Sequence, residues 1–144
     1  MPAQFLDSKT SQNASYANSI SIPLSALGAP DLIAQQTLDL SAGASGLTRV
    51  EFSGVLAVQL PLLPVATTVT VFVTRGLTPS DTIVFSAARS LDLSILGPQL
   101  IAFSGSDFNA PNTTAAAYSV FVSTTALGVT RVGPESFNFT GTSD

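Results

Sequence analysis

Apolar and polar residues alternate along several short segments of the chain, and this two-residue period is typical of β-strands with one buried face. The longest alternation covers residues 50–60, and the clearest covers residues 67–75, where valines alternate with β-branched threonines that suit a pleated surface. In the segment 82–86, we expect Ile83 and Phe85 to share one face. Shorter alternations predict further strands near residues 20–24, 38–40, 99–104, 118–122 and 129–139.

Proline and glycine mark where these strands end or bend. Pro61 and Pro64 end the longest strand, because proline has no backbone N–H to donate to a sheet. Gly54, in the middle of that strand, suggests a bulge or a close approach of another group to the backbone. We expect the last strand to be broken at Gly133 and Pro134.

About eight strands at this spacing, without a convincing amphipathic helix, predict an all-β fold. The pattern favours a single antiparallel β-sandwich over residues 19–144. We expect an eight-stranded jelly roll, with an immunoglobulin-like sandwich as the second choice.

The first 18 residues are polar and lack a sustained period, so they predict an extended N-terminal arm. Such a segment is either a flexible terminus or a strand donated to the sheet of a neighbouring subunit. The candidate subunit contacts in the arm are its apolar and aromatic side chains, Phe5, Leu6 and Tyr16.

The composition excludes most catalytic chemistry, because the chain has no histidine, no cysteine and a single lysine, Lys9. General bases near neutral pH, activated nucleophiles, and zinc or copper sites all depend on these residue types. We therefore expect no enzyme activity and no cofactor. Only 10% of the residues are charged, so few charges protect the sheet edges from pairing, which favours assembly with other copies.

The remaining charged residues do not form a recognisable site. Two acidic side chains close together would suit a glycosidase or a calcium site, but no D-x-D pattern occurs. We interpret Asp107-Phe108-Asn109 as a turn rather than as a metal site, because Asp and Asn side chains bond their own backbone in turns. Arg49 and Glu51 share a strand face and predict a solvated ion pair.

Charge and hydropathy also bear on the partners. A net charge of −4 opposes nucleic-acid binding, which needs clustered Lys and Arg. The most apolar stretch, residues 55–66, is too short and too interrupted by proline to span a membrane. The first residues lack the pattern of a secretory signal, so we expect synthesis in a cytoplasm.

Several short motifs stand out in the last two thirds of the chain: TRVEFSGV at residues 48–55, VQ at 58–59, VTRG at 73–76, Phe103, SDFNAP at 106–111 and RVGPESF at 131–137. Together they resemble those of small exosporium and spore-surface proteins of endospore-forming Firmicutes. The resemblance covers roughly residues 40–144 and contains no catalytic signature.

The resemblance implies a structural role on the spore surface, as a jelly-roll subunit of an appendage or fibre made in the mother-cell cytoplasm. In such subunits an N-terminal connector docks into a neighbouring jelly roll, so the implied partners are copies of the chain and other spore-coat or exosporium proteins. This chain lacks the connector cysteines of the covalently cross-linked type, so its contacts would be noncovalent. The alternative is a trimeric binding module of the complement or tumour-necrosis-factor kind.

Overall fold

The computed structural model describes residues 3–25 and 29–144, and residues 1–2 of the predicted arm lie outside these ranges. Nine strands are present in the described residues, and none of these residues forms a helix that is long and apolar enough to cross a membrane. The strands are β1 (Gln4–Ala14), β2 (Ile22–Pro23), β3 (Asp31–Leu38), β4 (Thr48–Gln59), β5 (Thr68–Arg75), β6 (Thr82–Ser90), β7 (Gln99–Asp107), β8 (Ala116–Thr124) and β9 (Thr130–Ser143).

The strands form two antiparallel sheets that pack face to face. Sheet A has the order β1-β9-β4-β7, with the short β2 beside β9, and sheet B has the order β3-β8-β5-β6. The pairs are nested along the chain, since β5 pairs with β6, β4 with β7, β3 with β8 and β1 with β9. One long hairpin wrapped into two sheets gives this order, which confirms the predicted jelly roll. It has nine strands rather than the expected eight, because the N-terminal segment adds β1.

The core lies between the sheets, where the inward faces of the alternating strands meet. Val50, Leu56 and Val58 of sheet A and Val71 and Val73 of sheet B are completely buried. Aromatic rings fill the middle of the sandwich, where Phe52 contacts Phe85 edge to face and Tyr118 packs on Phe139.

The segment predicted as an arm forms the first strand of the chain's own sheet. Residues Gln4–Ala14 pair with β9, from Gln4 opposite Ser143 to Ala14 opposite Glu135. The interpretation as a flexible terminus therefore does not fit these residues. The physical reason is that β9 would otherwise leave a row of N–H and C=O groups unpaired on this side.

Two other local expectations differ from the structure. Ile83 and Phe85 do not share a face, because a register shift between β5 and β6 places Val73 opposite Phe85 but Thr74 opposite Ile83. As a result Ile83 is exposed while Phe85 packs on the core. The break expected at Gly133 is a bulge within a continuous β9.

Candidate assembly strand and its anchoring

Strand β1, which contains the predicted subunit contacts, gives its sheet many backbone pairs but few core side chains. Its pairing with β9 runs along its full length, yet only Ala14 of the strand is buried. Leu6 is half-buried and packs on the core, whereas the side chain of Phe5 is 63% exposed.

Tyr16 lies beyond the other end of β1 and is 76% exposed. Ten residues separate it from Phe5, and the extended part of this segment, from Phe5 to Ala14, spans about 30 Å. The three predicted contact residues are therefore not brought together into one patch. Phe5 and Tyr16 present apolar surface at opposite ends of the same strand.

Polar side chains fasten β1 to the edge of sheet B. The backbone N–H of Asp39 donates a 2.9 Å hydrogen bond to the carboxylate of Asp7. Gln36 donates its side-chain amide to the carbonyl of Thr10 at 3.1 Å. Asn13 donates its amide to the carbonyl of Ile33 at 2.7 Å. These contacts close the gap between the two sheets along one side of the sandwich.

A buried ion pair lies under the end of β1. Arg131 binds the carboxylate of Glu135 through two hydrogen bonds of 2.6 and 2.5 Å, and both side chains are almost inaccessible to solvent. Asn13 of β1 donates a further 2.9 Å hydrogen bond to the same carboxylate. Arg131 and Glu135 both lie in β9, so the hydrogen bond from Asn13 is what joins β1 to this pair at the bulge near Gly133. Losing it would leave a buried carboxylate with one partner fewer, which is costly.

A second buried carboxylate joins the two sheets at the opposite end of the sandwich. Arg75 binds Asp107 through two hydrogen bonds of 2.7 Å, and the hydroxyl of Tyr118 donates a third of 2.7 Å. The backbone N–H of Asn109 donates a 3.1 Å hydrogen bond to the carboxylate of Asp107, and this contact forms the predicted turn. The sequence pattern identified the turn but not the partners from β5 and β8.

The pKa values follow from this environment. Burial alone would raise the pKa of Asp107, but hydrogen bonds from Arg75 and Tyr118 outweigh it and hold the pKa below its usual value. Burial, and then the hydrogen bond to Asp107, raise the pKa of Tyr118 well above its usual value. Asp107 is therefore a charged structural group rather than a proton donor.

The chain is similar in fold to solved particle proteins of infectious bursal disease virus. A structure of its Gx strain matches with a TM-score of 0.55 and 14% identity, over 93% of this chain and 32% of that one. The T13 viral particle matches with a TM-score of 0.57 and 13% identity, over 93% and 30%. The VP2 subviral particle matches with a TM-score of 0.53 and 14% identity, over 93% and 32%.

At this identity the likeness establishes the fold, and the chain spans about a third of the length of the structures it matches. No protein-family profile and no curated protein sequence matches the chain. The two-sheet jelly roll is thus supported both by strand order and by known structures.

The described residues offer little for catalysis. A shallow groove of about 450 Å³ lies on the outer face of sheet A, and its lining has one carboxyl group, that of Glu51. Glu51 contacts Arg49 at 3.5 Å in the predicted exposed ion pair. Within the described ranges, no three His, Cys, Asp or Glu residues lie close enough to hold a metal ion.

Proposed function

We propose that this chain is a noncatalytic structural subunit that assembles with copies of itself by exchanging strand β1. The observation that carries the proposal is the unequal contribution of β1, which pairs with β9 along its whole length but buries only Ala14. A strand of this kind detaches while exposing few core side chains. Its departure leaves the backbone N–H and C=O groups of β9 unpaired, and another strand can then pair with them.

The anchoring contacts of β1 suit exchange between copies. The hydrogen bonds of Asp7 and Asn13 would form identically if β1 came from a neighbour, since exchanged elements make the same contacts as the original ones. The inward-pointing Asp7 and the central Lys9 discourage the addition of a further strand outside β1. Exchange of β1 is therefore favoured over simple stacking of sheet edges.

The fold shared with particle proteins of a virus supports a structural role, and the resemblance to spore-surface proteins supports the finer proposal. In that proposal, β1 of each subunit docks into the next jelly roll of an exosporium fibre or appendage. Exchange in one direction gives an open chain of subunits, whereas reciprocal exchange gives a closed dimer. Antibodies to the folded chain are expected to label the surface of intact spores of the source organism. Labelling confined to vegetative cells would contradict the spore location.

The exchange is tested with a pair of cysteines in this cysteine-free chain. Thr10 of β1 donates a 2.9 Å hydrogen bond to Asn138 of β9, so the variant T10C/N138C places two thiols side by side. If β1 is exchanged, oxidation of the assembled protein joins different copies, and a non-reducing denaturing gel shows dimers or a ladder. Single chains alone would refute the exchange.

The matched control is S53C/S104C, which joins neighbouring positions of β4 and β7 on the same exposed face of sheet A. Both strands lie inside the body of one jelly roll, so this variant is expected to run as a single chain whether or not β1 is exchanged. Discrete trimers in sedimentation, without disulfides between copies of T10C/N138C, would favour the alternative of a trimeric binding module.

A further inference from the structure

Three loops gather at one end of the sandwich, and we call this surface the apolar end: residues 60–67, 91–98 and 125–129. The first two loops meet where Leu91 N–H donates to the carbonyl of Thr67 at 2.9 Å. The first and third meet through two contacts. Thr125 N–H donates to the carbonyl of Thr68, the residue that follows the first loop, at 3.1 Å, and Gly128 faces Pro61.

The apolar end exposes large aliphatic side chains almost completely. Leu62 is 94% exposed, Leu63 is 91% exposed and Leu96 is 83% exposed. Soluble monomers rarely present contiguous apolar patches of this kind unless the patch binds something. The same loops also expose Val65, Leu93, Ile95 and Leu127.

These side chains are not needed to close the core. Leu60, Leu91 and Val129, from the same three loops, are already buried and cover the core at this end. Pro61 and Pro64 flank the exposed leucine pair and restrict its backbone, so the pair is presented in a preorganised loop. The exposed leucines therefore form a contact surface and are not side chains left out of a poorly filled core.

Charge indicates what can cover the apolar end. The three loops contain no Lys or Arg and a single carboxylate, Asp92. Asp31 at the start of β3 and Arg89 near the end of β6 lie at the same end. With Arg89 as a single exposed cation, the described part of this surface has no cluster of positive charge that would attract anionic lipid headgroups or nucleic-acid phosphates. At the opposite end lie the carboxylates of Asp39, Asp81 and Asp144, which follow β3, precede β6 and follow β9.

From this asymmetry we infer that the apolar end packs against the apolar ends of other copies of the chain. This arrangement buries the leucines and keeps the acidic ends far apart, which lowers the repulsion between chains of net charge −4. The inference rests on the proposed self-assembly and adds a second contact to the exchange of β1. Contact between identical surfaces is self-complementary and closes on itself. The apolar ends therefore join a small, closed group of subunits rather than an open fibre.

The test is sedimentation velocity of the full chain and of the variant L62S/L63S/L96S. All three positions are exposed, so the variant should melt at the temperature of the unaltered chain. We expect the concentration for half-assembly to rise by about a hundredfold or more, because three apolar side chains lose their burial. The matched control, L47S/L77S/F108S, removes exposed apolar side chains at the opposite end and should assemble like the unaltered chain.

Two outcomes would overturn the inference. One is equal assembly of L62S/L63S/L96S and the unaltered chain. The other is flotation of the unaltered chain with phosphatidylcholine vesicles that the variant does not bind, which would make a membrane the occupant. The cysteine pair T10C/N138C separates the two proposals, because disulfides between copies would persist if only the apolar-end contact were wrong. If the unaltered chain stays monomeric at every concentration, both proposals fail.

Discussion

At the scale of single residues, the strongest polar contacts are made by two carboxylates that the sequence pattern did not single out as buried. Glu135 and Asp107 each receive two hydrogen bonds from an arginine, and each has a further partner from another strand. In a chain with few charged residues, these two ion pairs hold strands together rather than perform chemistry. Their main effect should therefore be on stability.

The first prediction concerns the variant D107N. It leaves Arg75 without its charged partner, so we expect the free energy of unfolding at pH 7 to fall by about 2 kcal/mol. The pKa of Asp107 is lowered on folding, so its stabilisation is complete above the ordinary value of 3.8 and is lost as the pH falls through the folded value. The difference between the two proteins should therefore shrink below pH 3.8.

Urea unfolding at several pH values measures this difference. The control is D144N, which removes an exposed carboxylate that contacts Arg49 at 3.1 Å. It should change the stability by less than about 0.5 kcal/mol, as solvent-exposed ion pairs usually do. A D107N effect that stays constant from pH 7 to pH 3 would show that the charge of Asp107 is unimportant.

At the scale of the strands, Gly54 illustrates how packing sets the residue choice in β4. The sequence suggested a bulge or a close approach at this position, and the structure has the close approach. Gly54 keeps regular register with Phe103 and Phe137, whose rings lie over the glycine. Side chains at this point would collide with the aromatic rings of the two flanking strands.

The second prediction is that G54A destabilises the protein by about 2 kcal/mol, because the added methyl group overpacks the site. The methyl carbon would lie 2.9 Å from the ring of Phe103 and closer still to Phe137. Thermal unfolding measures the change. The matched control is G97A, which has no atom within 4 Å of the added carbon and should be neutral or slightly stabilising. Equal melting temperatures for both variants would mean that the rings of Phe103 and Phe137 move aside without loss of stability.

At the scale of the whole molecule, net charge opposes assembly while apolar surface favours it. Two copies of the chain, each of net charge −4 and with centres about 30 Å apart, repel each other by about 2 kcal/mol in water without salt. Screening at an ionic strength of about 0.01 M leaves about 0.8 kcal/mol of this repulsion, and at about 0.15 M almost none remains. Salt should therefore strengthen contacts between copies.

The third prediction follows from these magnitudes. Raising the ionic strength from about 0.01 to 0.15 M should lower the concentration for half-assembly by about fourfold. Light scattering over a dilution series measures it at each ionic strength. Weaker assembly in salt would point instead to contacts made by ion pairs, and would contradict an interface of aliphatic side chains.

The strands were the most predictable part of the structure, because alternation is a local property of the chain. The strongest alternation predicted residues 67–75 and the structure has Thr68–Arg75, and the predicted residues 50–60 became Thr48–Gln59. The exposure of Ile83 was missed because one bulge reverses the faces of a strand without changing its composition. The weak period of β1 also hid its place in the sheet, since an edge strand buries little.

The amino-acid order alone was sufficient for an all-β sandwich, for the exclusion of histidine and cysteine chemistry, and for a surface with few charges. These properties depend on residue types and on a period of two, which neighbours along the chain determine. The nested strand order, the partners of Asp107 and Glu135, and the gathering of three leucine-bearing loops at one end arose only on folding. They join residues far apart in the chain, and such pairings depend on how the whole hairpin wraps into two sheets.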